Sequence, residues 1–165
     1  VKNRELNLAF LGPLPQKDDE INTTLLFSES IHALLPSSHP LAKQESINLS
    51  DLRNEKFVSF PEGYVLHKVA LDACKSVGFT PNITSEGEDM DALKGLVAAS
   101  IGVTLLPDSS LYDSTPRMTV KMPIANPPIR RTVGIISPVG RELASSEIVF
   151  LDFVKNFYSR INKFL

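Results

Sequence analysis

Ser59, His67 and the nearby aspartates are the residue types from which a nucleophile, a base and an orienting acid can be assembled. No G-x-S-x-G elbow frames the serine, so nothing local lifts its hydroxyl above a sheet, and chance co-occurrence explains the trio better than catalysis. The three histidines, His32, His39 and His67, lack a spacing such as H-E-x-x-H that puts two imidazoles on one helix face, so no metal site is expected. His32 sits in an extended pattern and is expected to point off its strand into solvent or a lobe interface. The single thiol, Cys74, falls in the apolar stripe of a predicted helix, where a small buried thiol packs inertly. Neither a catalytic group nor a cofactor is expected.

Recognition through the backbone is better supported. The loop "SFPEGYVLHK" passes from strand to helix through Pro61 and Gly63, leaving amides near Gly63, Tyr64, Val65 and Leu66 where a carboxylate or phosphate can be held. A plain structural turn is the competing explanation. "SEGEDMD", Ser85 to Asp91, is a second strand-to-helix loop, whose acidic residues are most simply a helix N-terminus favoured by the macrodipole. Two such loops at one sheet edge make a cleft for a small ligand.

The elements that must position these loops are legible from periodicity. "LNLAFLG", Leu6 to Gly12, suits a buried strand, and Leu25 to Pro36 a second one, with a polar loop from Pro15 to Asn22 between them. A short helix is expected to open near Ser50 or Asp51, followed by the strand "KFVSFP". From Tyr64 onward, Val65, Leu66, Val69, Ala70, Ala73, Cys74 and Val77 form one apolar stripe, with His67 outside it. Gly78 is placed to take a left-handed conformation past the helix end, with Phe79 folding back on the last turn. After the extended "NITSE", Asp89 is a plausible N-cap for a helix from about Met90 to Ala99 that buries Met90, Leu93, Leu96 and Val97. That helix hands over to the strand "VTLLP", and Gly102 is expected to supply the positive φ at the corner. "MTVKMPI" and "RRTVGIIS" are further strands, and Ser145 or Ser146 opens a last helix with Ile148, Leu151, Val154, Phe157 and Ile161 on one face. Strand and helix in this alternation predict an α/β sheet.

Composition narrows the function classes. The 165 residues carry 17 basic and 19 acidic side chains without a long like-charged run, so the chain offers no footprint for a nucleic-acid backbone. One cysteine supports neither an intrachain disulfide nor a thiolate zinc site, and a reducing cytoplasm is the default expectation.

Taken in order, "ELNLAFLGP", "ESIHALLPSSHPLA", "INLSDL", "FVSFP", "GFTPNITSEGEDMDALKGLVAASIGVTLLPDSSL" and "RRTVGIIS" resemble the effector-binding domain of LysR-type transcriptional regulators across nearly the whole chain. No single motif is decisive; the ordered set is specific. "FPEGYVLHK" and "EGEDMDALKGLVAASIGVTLLP" look most like the branch that activates glutamate synthase genes. The resemblance implies an α/β, periplasmic-binding-protein-like fold of two lobes joined by two crossover strands, with a small-molecule effector between them. Residues 1–29 and 132–165 would form part of lobe I and 30–131 lobe II. Effector contacts would fall at Gly12 and Pro13, at Gly63, Tyr64, Val65 and Leu66, and at Glu88 and Met90. A dicarboxylate such as 2-oxoglutarate or glutamate would place one carboxylate on the Gly63 to Leu66 amides.

The resemblance further implies DNA binding through a helix-turn-helix upstream of Val1, where the first strand, helix and strand of lobe I would also lie, and a cytoplasmic homodimer or homotetramer. Three positions depart from the family pattern: Arg4 replaces a glycine, Asn7 the aspartate of "LDLA", and Ser100 the first glycine of the "AGxG" turn. A solute-binding protein of a transporter is the alternative with the same fold, distinguished by an export signal or lipid-anchor cysteine upstream. An enzyme ranks last.

Overall fold

The computed structural model describes residues 1, 5–15, 18–112 and 115–161. Arg4 lies outside them. The chain divides into two compact units, one made of Val1–Glu29 with Arg131–Leu165 and the other of Ser30–Arg130. Two long strands, β2 (Ile21–Pro36) and β9 (Arg130–Pro138), contribute to both.

The Ser30–Arg130 unit is an α/β layer structure. In chain order it holds the end of β2, β3 (Ile47–Asn48), β4 (Lys56–Ser59), α1 (Val65–Ser76), β5 (Asn82–Glu86), α2 (Met90–Ala98), β6 (Thr104–Pro107), β7 (Thr119–Met122) and β8 (Ile124–Asn126). β4 and β5 pair in parallel, from Lys56 opposite Asn82 to Ser59 opposite Glu86. Phe57 bridges in parallel to Val103, just before β6, and β2 runs antiparallel between β6 and β7. Alternate residues feed opposite faces, as a period of two requires. Ala33, Leu35, Phe57, Val103 and Leu105 join the core that includes Cys74 of α1, whereas Leu34, Val58 and Leu106 join Leu93 and Val97 of α2. The strands are therefore covered on both sides, which is why their sequences read as near-continuous apolar runs.

Both helices end in the same hydrogen-bonded motif. For α1, Gly78 has φ 81°, its amide donates to Lys75 O at 3.0 Å, and the Phe79 amide donates to Cys74 O at 3.2 Å. Gly78 and Phe79 thus do what the sequence predicted. For α2, Ser100 N donates to Val97 O at 2.9 Å and Ile101 N to Leu96 O at 3.1 Å. Here the left-handed residue is Ser100, at φ 59°, and not Gly102. The expectation for Gly102 is corrected: its role is close approach, because a Cβ there would meet the Lys56 carbonyl oxygen at 2.5 Å. Ser100→Gly should consequently stabilise the fold by about 0.5–1 kcal/mol, since a left-handed L-residue carries a strain that glycine lacks. Urea midpoints of the two proteins measure this, and a loss of stability would contradict the assignment.

Other local expectations shift in instructive ways. The short helix near Ser50 is a 3₁₀ turn, Leu49–Leu52, capped at Asn48; the Asp51 carboxylate accepts from the Asn48 amide at 3.0 Å instead of opening the turn itself. Asp89 caps α2 as predicted, its side chain accepting from Ala92 N at 2.7 Å. Val65, placed in the apolar stripe of α1, is exposed, while His67 is half-buried.

In the other unit, β1 (Ala9–Leu11) pairs antiparallel with β9, Leu11 opposite Gly134. It is shorter than predicted and is not buried: Phe10 and Leu11 are exposed. α3 (Ser145–Ile161) packs Leu151, Val154 and Tyr158 against Leu26, Phe27 and Ile135, with Tyr158 stacked on Phe27 at 5.3 Å. The predicted face is therefore rotated, leaving Ile148, Phe157 and Ile161 exposed. Asn7 has a structural reason: its Nδ2 donates to Glu147 Oε1 at 2.6 Å. Glu147 also accepts from the Ala144 amide, and the two bonds, Asn7 first, hold its carboxyl below the ordinary range. An aspartate at position 7 would instead face that carboxylate as a like charge.

Candidate functional site

Because β4 and β5 are parallel neighbours, the loops that follow them leave the same sheet edge. Gly87 N donates to Ser59 O at 3.0 Å, tying the start of one loop to the start of the other. Carboxyl edges of this kind are where open α/β sheets hold ligands. Gly63, Tyr64, Val65 and Leu66 come from the first loop and helix start; Glu88 and Met90 come from the second. Gly12 and Pro13 belong to the other unit, at the end of β1, where Leu14 N donates to Thr132 Oγ1 at 3.2 Å.

The first loop is built from three interactions. Gly63 takes φ 96°, which reverses the chain where an L-side chain would be strained. The Tyr64 amide donates to Pro61 O at 3.2 Å, so it is not free, a correction to the expected run of open amides. The Tyr64 ring stacks on Phe60 at 5.4 Å. The first helical hydrogen bond of α1 runs from Lys68 N to Tyr64 O, which leaves the Val65, Leu66 and His67 amides without an acceptor inside the helix. A groove of 390 Å³ beside them is lined by Glu62, Gly63, Tyr64, Val65, His67 and Lys68, among others. Leu66 and Met90 turn their side chains onto the Phe60–Leu93 cluster, and Glu88 is exposed.

His67 is the residue of this region that periodicity misplaced. Its Nδ1 lies 2.7 Å from Phe60 O and 3.4 Å from Ser59 Oγ. A carbonyl only accepts, so Nδ1 carries the proton and cannot take one from Ser59. The serine and histidine meet in space without forming a nucleophile and base. Cys74 is also inert: burial pushes its thiol up to about 12.

His32, expected at solvent or a lobe interface, instead lies largely buried inside the Ser30–Arg130 unit, with Nδ1 3.1 Å from Asp108 Oδ1 but not aligned for a hydrogen bond. Lys121 Nζ donates to the same oxygen at 2.8 Å. Burial tends to raise the Asp108 carboxyl, but hydrogen bonds from Lys121 and Tyr112 and the adjacent charges outweigh it, and the carboxyl titrates below its ordinary value. For His32, burial lowers the pKa from 6.5 more than Asp108 raises it, and Lys121 adds to the lowering. The unfolded chain therefore binds the proton more readily, so stability from neutral His32 is present above pH 6.5 and lost as pH falls through the folded pKa. Urea midpoints at about pH 7.5 and about pH 5 should differ less in His32→Gln than in the parent. An unchanged difference would contradict this.

Among the described residues no group of three or more His, Cys, Asp or Glu side chains could hold a metal ion, and no helix is long and apolar enough to cross a membrane.

Residues 1–159 match the family described as LysR substrate binding domain. The chain is 53% identical over 164 residues to the transcriptional dual regulator GltC of Bacillus subtilis, covering 99% of this chain and 55% of GltC. It thus spans about half the length of the curated relatives it matches. The effector-binding domain of QuiR in complex with shikimate superposes with a TM-score of 0.81 at 23% identity, covering 96% of this chain and 75% of that one. The Synechocystis PCC6803 CcmR regulatory domain in complex with 2-PG gives 0.84 at 20% identity, covering 94% and 75%. The periplasmic-binding-protein-like α/β class follows, and the chain belongs to the LysR substrate-binding domain family.

Proposed function

We propose that this chain is the effector-sensing domain of a LysR-type regulator and that it holds a small anionic metabolite against the first turn of α1. The observation that carries the reading is the pair of loops at one carboxyl edge, with the Val65, Leu66 and His67 amides left without helical acceptors beside Gly63. Such amides, with the helix dipole behind them, favour a carboxylate or phosphate. The ligands of QuiR and CcmR support a compact polar metabolite.

Residues 1–29 and 132–165 act as part of lobe I, residues 30–131 as lobe II, and Gly12, Pro13, Glu88 and Met90 as further contacts. The exposed Phe10, Phe150, Phe153 and Phe157 support a lobe I completed by upstream strand, helix and strand. DNA is bound by an upstream helix-turn-helix, in a cytoplasmic homodimer or homotetramer. The effector biases the DNA-bound state only through its differential affinity for two arrangements. Near-complete coverage by a transcriptional regulator favours this over a transporter's solute-binding protein.

Calorimetry on the intact effector domain tests the ligand: 2-oxoglutarate or glutamate should bind, and Gly63→Val, which strains the turn at φ 96°, should weaken binding about tenfold. Heat from neither compound would eliminate both as effectors.

A further inference from the structure

We propose that His67 is the positioning residue of this loop, clamping Phe60 to the first turn of α1 so that the free amides converge on one point. The inference rests on the anion reading for its function but on separate contacts for its geometry. His67 is the third residue of α1, and its half-buried ring donates Nδ1–H to Phe60 O at 2.7 Å across seven residues of sequence. Phe60 is fixed in turn, 7% exposed, with its ring stacked on Tyr64. The clamp thereby closes a ring of contacts: Phe60 carbonyl to His67, Phe60 ring to Tyr64 ring, Tyr64 amide to Pro61 O, and Lys68 amide to Tyr64 O. Pro61, Glu62 and Gly63 lie inside it. Without the clamp, Gly63 has no side chain to limit the loop, and ordering it would be left to the ligand.

Amide hydrogen exchange in the intact protein tests the clamp without a ligand. In His67→Ala, the Tyr64 and Lys68 amides should exchange about five- to tenfold faster, as loss of one hydrogen bond predicts, while Gly78 and Phe79 at the far end of α1 keep their rates. His67→Asn, whose Nδ2 can donate from nearly the position of Nδ1, should restore protection, whereas His67→Gln should not. Equal rates in the parent and His67→Ala, or an asparagine variant that behaves like alanine, would overturn the proposal. A parallel titration with 2-oxoglutarate separates the two readings. Weaker binding in His67→Ala with recovery in His67→Asn supports both. No binding to the parent removes 2-oxoglutarate as ligand and leaves the clamp to be decided by exchange alone.

Discussion

Gly102→Ala is expected to destabilise the Ser30–Arg130 unit by about 3 kcal/mol, the upper range for forcing an extra carbon into a closed site. The new Cβ would stand 2.5 Å from Lys56 O and 3.1 Å from its carbonyl carbon, with Val58 Cγ1 at 3.3 Å. These atoms have little freedom to retreat. Lys56 O accepts from Val103 N at 2.8 Å and Val58 N donates to Val103 O at 2.9 Å, so moving either strand breaks the bonds that join β4 to the approach to β6. Gly95→Ala is the contrasting control. No heavy atom lies within 4 Å of its added Cβ, and alanine in a helix interior gains about 0.5–1 kcal/mol over glycine. Urea unfolding of the two variants should therefore move in opposite directions. A neutral Gly102→Ala would mean that the strands separate more readily than their hydrogen bonds imply.

Arg131→Met should cost about 3 kcal/mol, because it breaks a buried ion pair by removing one partner. Glu29 is 9% exposed, and its Oε1 receives Arg131 Nε at 2.7 Å and lies 2.6 Å from the second guanidinium nitrogen. Methionine fills similar space but supplies neither donor nor charge. Pairing it with Glu29→Gln removes the buried negative charge as well, so the double variant should be more stable than Arg131→Met alone. A single-variant cost below about 1 kcal/mol, the range of an exposed pair, would show that solvent reaches Glu29 after the change.

Much of the fold was legible because its signals are local. The stripe from Leu66 to Val77, the Asp89 cap and the Gly78–Phe79 ending each depend on residues within a few positions, and each is found as read. Val65 and α3 show the limit of periodicity. It identifies an apolar face, but which part is covered depends on what lies opposite: Tyr158 finds Phe27, while Phe157 remains exposed. The candidate site divides the same way. The two strand-to-helix loops were visible in Pro61, Gly63 and the acidic run, whereas the capture of the Tyr64 amide by Pro61 and of the Phe60 carbonyl by His67 was not.

The sequence by itself determined the α/β alternation, the Asp89 and Gly78 helix caps, the family and the loops worth attention, since helix and strand periods and turn chemistry are properties of neighbouring residues. Tertiary structure alone decided that β4 and β5 put both loops on one edge, that Gly102 lies against the Lys56 carbonyl, that His32 meets Asp108, and that Asn7 answers Glu147 across 140 positions. Each depends on which distant strand or helix lies alongside. A donor and an acceptor far apart in the chain carry no joint mark in the sequence until the sheet order brings them together.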